Sequence, residues 1–231
     1  MDPIIELQNV NAGYDNQTVL ADVNLKIYEQ DFLGIVGPNG GGKTTLVKVL
    51  LKQIKPTKGS ITFYKDEDKT EKLNIGYLPQ YNLIDKKFPI SVYEVILSGL
   101  DQKKLWGRRY TPQDHEQVKN IISKIELEGL ENKTIGELSG GQLQRALLGR
   151  AIVSDPEVVI LDEPNTYVDK RFEKKLYNIL AEINYRCSII IISHELESLI
   201  DHSKNIAYVD HSLTYHNGPD RTYDWIRNYF E

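Results

Sequence analysis

The residues from Gly37 to Thr45 match the pattern Gly-x-x-x-x-Gly-Lys-Ser/Thr. An apolar run, Phe32 to Val36, precedes them, and a helix-like run, Leu46 to Ile54, follows. Glycines let the backbone curl until successive amides point at one anion, and the following helix adds the positive end of its dipole. We therefore predict a phosphate cradle in which Lys43 reaches the β- and γ-phosphates and the Thr44 hydroxyl binds Mg²⁺.

Two neighbouring carboxylates, Asp162 and Glu163, follow the uniformly apolar run Val158 to Leu161. Such a run is typical of a parallel strand covered on both faces, and ligands of open parallel sheets bind beyond the carboxyl ends of the strands. We expect Asp162 to hold Mg²⁺ through water and Glu163 to polarise the water that attacks the γ-phosphate. The pair is predicted to share one site with the phosphate cradle.

A second glycine-rich stretch, Leu138-Ser-Gly-Gly-Gln142, begins a helical pattern that ends near Val153. Ser139 and Gln142 have the spacing of a capping box, which would satisfy amides at the helix start. The same Ser-Gly-Gly entry would also offer N–H groups to an anion. Both interpretations stay open, and the second would give one chain two half-sites for nucleotide.

Alternation and turn residues predict the strands around the phosphate loop. Ile4 to Val10 and Thr18 to Tyr28 are predicted to form an antiparallel β region. Ser60 to Tyr64 and Asn74 to Leu78 are two further predicted strands. The charged stretch between them, Lys65 to Lys72, is predicted to be a hairpin connection at the surface.

The second half of the chain alternates between helical and strand patterns. From Ser91 to Ile125 the apolar spacing is helical, which predicts an inserted helical subdomain. Helices at Lys170 to Tyr185 and Glu195 to Ile200 flank a predicted strand at Ser188 to Ile192. The whole pattern predicts an α/β protein, a P-loop NTPase core with a mostly parallel sheet, an N-terminal antiparallel β region and an inserted helical subdomain.

Length and composition set the domain organisation. The chain has 231 residues, 40% hydrophobic and 26% charged, and we expect 1–231 to be one domain. Segments 1–84 and 156–231 would form the β region and core, and 85–155 the helical subdomain. A net charge of −5 argues against nucleic acid as a partner. The chain has no leader-like or membrane-spanning run, and Cys187 is the only cysteine, so we expect a soluble, cytoplasmic protein.

A basic cluster contrasts with this negative net charge. It consists of Lys103, Lys104, Arg108 and Arg109, with Trp106 inside it. The cluster could grip a phosphate-bearing partner or lipid headgroups, or it could be a solvated loop. No functional role is predicted for four of the five histidines, which are His115, His202, His211 and His216.

Together the motifs resemble those of the nucleotide-binding subunit of ABC transporters over essentially the whole chain. The matching features, in the family's order and approximate spacing, are the phosphate loop, Gln80 after the strand Asn74 to Leu78, Leu138 to Gln142, Asp162-Glu163, Val168-Asp169 and His194. A generic P-loop kinase or GTPase would not explain Leu138 to Gln142.

The resemblance implies an ATPase that uses ATP and Mg²⁺, with a role for each matching residue. Tyr14 would stack on adenine, Gln80 would sense Mg²⁺ and the attacking water, and His194 would contact the γ-phosphate. The nucleotide would bind to Tyr14, Gly37, Pro38, Asn39, Gly40, Gly41, Gly42, Lys43, Thr44 and Thr45. The catalytic residues would be Glu163, His194 and Gln80, and the Mg²⁺ ligands would be Thr44, Gln80 and Asp162.

The resemblance also implies that two copies of the chain pack head to tail in the presence of ATP. Each copy would complete the other's nucleotide site with Ser139, Gly140, Gly141, Gln142 and Asp169. One stretch departs from the family pattern, because Asn165 and Tyr167 stand where smaller or hydroxyl-bearing residues are more usual. This departure concerns the geometry of the dimer seam.

As a transport ATPase, the chain would power a separate membrane permease from the cytoplasmic face of the inner membrane, and a substrate-binding protein would take part indirectly. The stretches Tyr77 to Gln80 and Phe88 to Leu100 resemble subunits that energise uptake of zinc, manganese or chelated iron. Zinc or manganese import is the first hypothesis. Iron-chelate or cobalamin import is the alternative, and a non-transport ABC ATPase is a further one.

Overall fold

The computed structural model describes residues 3–15, 17–81, 84–100, 109–194 and 196–217. Its elements, in chain order, are β1 (Pro3–Tyr14), β2 (Gln17–Tyr28), β3 (Phe32–Val36), α1 (Lys43–Leu50), β4 (Lys58–Lys65), β5 (Asp68–Thr70), β6 (Ile75–Leu78), α2 (Val92–Ser98), α3 (Pro112–Lys124), a 3₁₀ turn (Ile135–Glu137), α4 (Gly140–Ile152), β7 (Val158–Asp162), α5 (Lys170–Asn184), β8 (Ser188–Ile192), α6 (Leu196–His202), β9 (Asn205–Asp210) and β10 (Ser212–Asn217).

The strands form two sheets. One is antiparallel with the order β2-β1-β4-β5, and it contains the predicted N-terminal pair. The charged stretch Lys65 to Lys72 does form a surface hairpin, but its partners differ from the prediction, because β4 pairs with β5 inside this stretch and β6 belongs to the second sheet. The second sheet has the order β10-β9-β3-β8-β7-β6, and its pairs are parallel except for β9 with β10. The predicted α/β class with a mostly parallel core is confirmed. The carboxyl ends of β3, β6, β7 and β8 therefore lie at one edge of the sheet.

Alternate residues of the parallel strands serve two hydrophobic cores. On β7, Val159 and Leu161 pack with α4 and α5, whereas Val158 and Ile160 pack with α1 and the antiparallel sheet. Both faces of this strand are covered, which explains its uniformly apolar sequence. The two cores therefore pack on opposite faces of the parallel sheet, with α1 on one face and α4 on the other.

The helical region packs on the core through α4. Its other helices, α2 and α3, contact α4, and α4 also contacts β6 at the edge of the parallel sheet. Capping boxes begin both helices, Ser91 with Glu94 in α2 and Thr111 with Asp114 in α3. The division of the chain at 85 and 156 stays a prediction.

Two strands near the end of the described region, β9 and β10, had no counterpart in the sequence-based prediction. They extend the parallel sheet beyond β3. Of the basic cluster, residues 103–108 lie outside the described residues, and Arg109 is exposed. Within the described part of the chain, none of the helices has the length and apolar character that a membrane crossing requires.

Candidate functional site

The phosphate loop connects β3 to α1 and has an unusual backbone. Gly37, Gly40 and Gly42 have positive φ angles of 149°, 83° and 102°. Gly42 is the N-cap of α1 and has no side chain to cap the helix, so the first-turn amides have no side-chain acceptor there. Unfilled amides at a helix start bind anions well. These amides are suited to an anion, and phosphate binding by the loop stays a prediction.

Close packing against β9 explains why the loop needs glycine at two positions. A Cβ atom on Gly37 would lie 2.0 Å from the carbonyl oxygen of Val209, and one on Gly41 would lie 2.7 Å from the same oxygen. The His211 amide donates a hydrogen bond to the Gly41 carbonyl at 2.8 Å. The segment after β3 therefore packs against backbone atoms of β9 and of the turn between β9 and β10, neither of which the sequence analysis predicted.

The Lys43 side chain folds over this loop. Its ammonium group donates hydrogen bonds to the carbonyl oxygens of Gly37 and Pro38, both at 2.8 Å. Burial lowers the pKa of Lys43, and the nearby carboxylates of Glu163 and Asp162 counteract that shift. The ammonium group thus lies between the loop backbone and the predicted acidic pair.

Nine of the predicted residues meet in one cleft of about 250 Å³ at the carboxyl edge of the parallel sheet. Its lining includes Lys43, Thr44, Gln80, Asp162 and Glu163. These residues come from α1, from the segment after β6, and from the end of β7. The hydroxyl, amide and carboxylate oxygens gathered here are the hard donors that Mg²⁺ prefers, so the residues fit that ion.

The two carboxylates differ in their surroundings. Asp162 is buried, and desolvation, together with the Glu163 charge, raises its pKa to about 6. Glu163 has a positive φ of 54°, and its amide donates to the Ile192 carbonyl at 2.9 Å. Its Oε2 lies 2.8 Å from Nδ1 of His194, whose side chain is largely exposed. His194 therefore contacts the carboxylate predicted to act on water.

Gln144, a buried glutamine that the sequence analysis did not single out, contacts the backbone of Glu163. Gln144 on α4 donates from Nε2 to the carbonyl oxygens of Glu163 at 3.2 Å and Pro164 at 3.3 Å. Its sequence signal was a polar residue at a buried position of an apolar helix. This contact joins the helix of the second glycine-rich stretch to the strand end that carries the carboxylates.

The second glycine-rich stretch begins α4, and its capping box is present. Gln142 N donates to Ser139 Oγ at 3.3 Å, and Ser139 N donates to Gln142 Oε1 at 3.0 Å. A Cβ on Gly140 would lie 3.0 Å from Cβ and Cγ of Tyr167. Among the described residues, Ser139 to Gln142 do not line the cleft that contains Lys43. The structure therefore separates the two predicted half-sites within one chain.

The model of the family described as "ABC transporter" matches residues 20–166, which includes both glycine-rich stretches and the acidic pair. The chain belongs to the ABC transporter family. It is accordingly an ABC ATPase. A "Probable metal transport system ATP-binding protein" of Chlamydia trachomatis is 37% identical over 210 residues, covering 90% of this chain and 89% of the relative.

Two further matches come from a bacterial importer and a solved dimer. The "High-affinity zinc uptake system ATP-binding protein ZnuC" of Bacillus subtilis is 35% identical over 195 residues, covering 83% of this chain and 84% of the relative. A solved dimeric structure of a bacterial ABC transporter cassette has a TM-score of 0.78 and 26% identity, covering 92% of this chain and 98% of that chain. ABC cassettes thus share the fold of this chain.

Tyr14 and Asp169, whose roles came from the family resemblance, also lie outside the cleft lining. Tyr14 ends β1 with 41% of its surface exposed, and the Lys48 ammonium lies 5.1 Å from the centre of its ring. Asp169 caps α5 by accepting from the Phe172 amide at 2.9 Å, which lowers its pKa. Its Oδ2 also lies 3.7 Å from the Arg145 guanidinium on α4. Their predicted contacts with nucleotide stay predictions.

Proposed function

We propose that this chain is the ATP-hydrolysing subunit of an importer of zinc or manganese and that it drives a separate membrane permease. The cleft that brings Lys43, Thr44, Gln80, Asp162 and Glu163 together carries the enzymatic part of the proposal. The identity of the cargo is inferred from the names of the relatives, which refer to metal transport and zinc uptake.

The geometry supports a division of labour in the cleft. The loop amides and the Lys43 ammonium bind the phosphates of ATP, and Tyr14 stacks on the adenine. Thr44, Asp162 and Gln80 would hold Mg²⁺, which would supply positive charge to the phosphates of ATP. Together these contacts hold the γ-phosphate at the carboxyl edge of the parallel sheet.

Glu163 then accepts a proton from the water that attacks the γ-phosphate. The contact between His194 and Glu163 holds both side chains at the γ-phosphate end of the cleft. Hydrolysis breaks the bond between the β- and γ-phosphates, and the γ-phosphate that Glu163 and His194 face then leaves the site.

A second copy of the chain completes each site in this proposal. Because Ser139 to Gln142 lie apart from the chain's own cleft, we propose that they meet the ATP bound by the partner, with Asp169 at the seam. Other family members have been solved as dimers. ATP closes the dimer and hydrolysis opens it, so the γ-phosphate biases a two-state element.

The permease would dock on a groove of about 1190 Å³ that does not include the cleft residues. The groove lies between the end of α1 near Leu51, the edge strand β6 and the end of α2 at Ser98-Gly99. This position includes part of the stretch Phe88 to Leu100 that resembles metal-uptake subunits. Docking there would place the chain on the cytoplasmic face of the membrane, and a substrate-binding protein would deliver cargo to the permease.

Cargo uptake and a catalytic variant test the proposal together. We expect deletion of the gene to reduce uptake of labelled zinc or manganese, with recovery from the wild-type gene but not from Glu163→Gln. Normal uptake of both metals in the deletion, with the gene expressed in the wild type, would contradict the cargo. Loss of labelled iron-siderophore uptake alone would favour the iron-chelate alternative.

A solution measurement tests the enzymatic part separately. Glu163→Gln removes the general base but keeps the shape of the site, so ATP hydrolysis should fall by about 10²- to 10⁴-fold. The mass in solution with ATP and Mg²⁺ should shift to that of a dimer, because the closed state no longer turns over. A monomer with normal turnover would refute the role of Glu163.

A further inference from the structure

Tyr167 adopts a backbone conformation that bulky residues avoid. Its φ is 64°, in the left-handed region where glycine and asparagine are the usual residues, and its side chain is 62% exposed. A strained, exposed aromatic residue persists when its surroundings or its role require it. The family pattern usually has a smaller residue at this point, so the contacts of this ring need an account specific to this chain.

The Tyr167 ring lies between two segments that belong to different half-sites. Its centre is 4.4 Å from that of the Tyr81 ring, at an interplanar angle of 49°. On the other side its Cβ and Cγ leave only 3.0 Å for a Cβ on Gly140, and its carbonyl oxygen leaves 2.9 Å for one on Gly141. The start of α4 and Tyr81 therefore both pack on the same side chain.

Tyr81 directly follows Gln80, which lines the cleft that contains Lys43. The Lys86 ammonium contacts the Tyr81 hydroxyl and lies 4.5 Å from the ring centre. The Tyr81 ring, one residue from Gln80, therefore contacts both Lys86 and Tyr167. Tyr167 in turn contacts Gly140 through its side chain and Gly141 through its carbonyl oxygen.

We propose that Tyr167 is a positioning residue that couples the nucleotide cleft of its own chain to the glycine-rich start of α4, which serves the ATP of the partner. The inference rests on the proposed function, since it needs the shared site. ATP that binds in one cleft sets Gln80 and Tyr81, and the Tyr167 ring then fixes the start of α4 in the orientation that the dimer requires.

Dimerisation measured against ATP binding tests this coupling in the full chain. In a Glu163→Gln background, Tyr167→Gly removes the ring at a backbone angle that glycine tolerates. We expect the ATP concentration for half-maximal dimer formation to rise about fivefold or more, within the usual range of coupling between sites. The affinity of the monomer for ATP should stay unchanged, because Tyr167 does not line the cleft.

Matched variants separate the ring contact from general damage. Tyr167→Phe should behave as the parent, and Tyr167→Asn, which also suits a positive φ, should behave as Tyr167→Gly. Tyr81→Leu should raise the ATP requirement in the same direction, and the double variant should show less than the sum of the two effects. Tyr185→Gly changes a tyrosine that is 82% exposed at the end of α5 and should have no effect.

The results of these measurements distinguish failure of the Tyr167 coupling from failure of the proposed function. A parent that dimerises while Tyr167→Gly needs no more ATP would overturn the inference alone, even if that variant melts at a lower temperature. Full additivity of Tyr81→Leu and Tyr167→Gly would also overturn it. A Glu163→Gln parent that never dimerises with ATP would overturn the proposed function and the inference together.

Discussion

The two glycine-rich loops both begin helices, but they differ in how their amides are used. At α1 the cap is Gly42 in a left-handed conformation, with no side chain to satisfy the first turn. At α4 the cap is Ser139, and Ser139 and Gln142 satisfy each other's amides. The first loop presents its amides beside two carboxylates of the same chain, whereas the second is internally capped and lies outside that cleft.

This difference shows that glycine content alone does not define a phosphate site. The first loop has glycines because the Val209 carbonyl and positive φ angles leave no room for side chains. The second has them because Tyr167 packs on Gly140 and Gly141. In the proposed function, the first loop holds phosphate with residues of its own chain, and the second meets the ATP of a partner.

The largest effect is expected from alanine at Gly37, compared with alanine at Gly140. The new Cβ at Gly37 would meet a backbone oxygen at 2.0 Å, and backbone cannot move as a side chain can. Strain and overpacking should cost about 3 kcal/mol or more in the free energy of unfolding, and ATP binding should be lost. Denaturant unfolding and nucleotide titration measure both quantities.

The matched change at Gly140 meets only side-chain atoms of Tyr167, at 3.0 Å. This contact needs a shift of only a few tenths of an ångström, so Gly140→Ala should keep ATP binding and lose less stability than Gly37→Ala. Equal damage from the two changes would remove the contrast between the loops.

The next effect concerns the partner site. Ser139→Arg fills the start of α4, so hydrolysis should fall by about 100-fold while ATP binding to the single chain survives, because Lys43 and Tyr14 lie elsewhere. Mixing this variant with Lys43→Ala should restore hydrolysis at no more than one composite site per heterodimer. Undiminished hydrolysis by Ser139→Arg alone would refute the shared site.

The sequence was enough to predict both loops, the acidic pair and the parallel core, because each depends on local patterns of glycine, apolar residues and caps. It did not predict that β9 supports the phosphate loop. That support comes from the backbone carbonyl of Val209 and the amide of His211, and backbone contacts leave no side-chain signal. The short apolar run from Ile206 to Val209 is also too brief for its period to identify a strand.

The sequence likewise did not predict which side chains contact each other at the carboxyl ends of the strands. His194 was expected to contact phosphate, and the structure places it against Glu163. Gln144 was not predicted because a polar residue in an apolar helix does not indicate which distant residues it will contact. Both contacts form only when β7, β8 and α4 assemble, so local patterns could not reveal them.

A third, smaller effect separates stability from function at Asp162, which lies in the same cleft as the first loop. The raised pKa of Asp162, about 6 against 3.8, means that the folded chain binds a proton that the unfolded chain releases. Stability from this group is therefore lost as pH rises from about 4 to 6. Asp162→Asn should raise the free energy of unfolding by about 2–3 kcal/mol at pH 7.5 and by little at pH 4.

The same variant should weaken Mg²⁺-dependent hydrolysis, since it removes a hard anionic ligand. Urea unfolding of the two proteins between pH 4 and pH 7.5, with metal-free buffers, isolates the stability difference. A difference that does not grow with pH would show that Asp162 is ionised in the fold throughout this range.

The smallest effect tests whether the cap of α4 and the partner's phosphate compete for the same amides. Gln142→Glu keeps the capping box, since a glutamate oxygen can still accept from Ser139 N, and its charge suits the positive end of the helix. The free energy of unfolding should rise by about 0.3–1 kcal/mol. The added charge would nevertheless oppose the γ-phosphate of the partner, so hydrolysis should fall several-fold at unchanged ATP affinity of the single chain. Because the variant is more stable, unfolding cannot explain that fall, and raised salt should recover part of the rate by screening. Unchanged hydrolysis at low salt would mean that the start of α4 serves only as a capped helix.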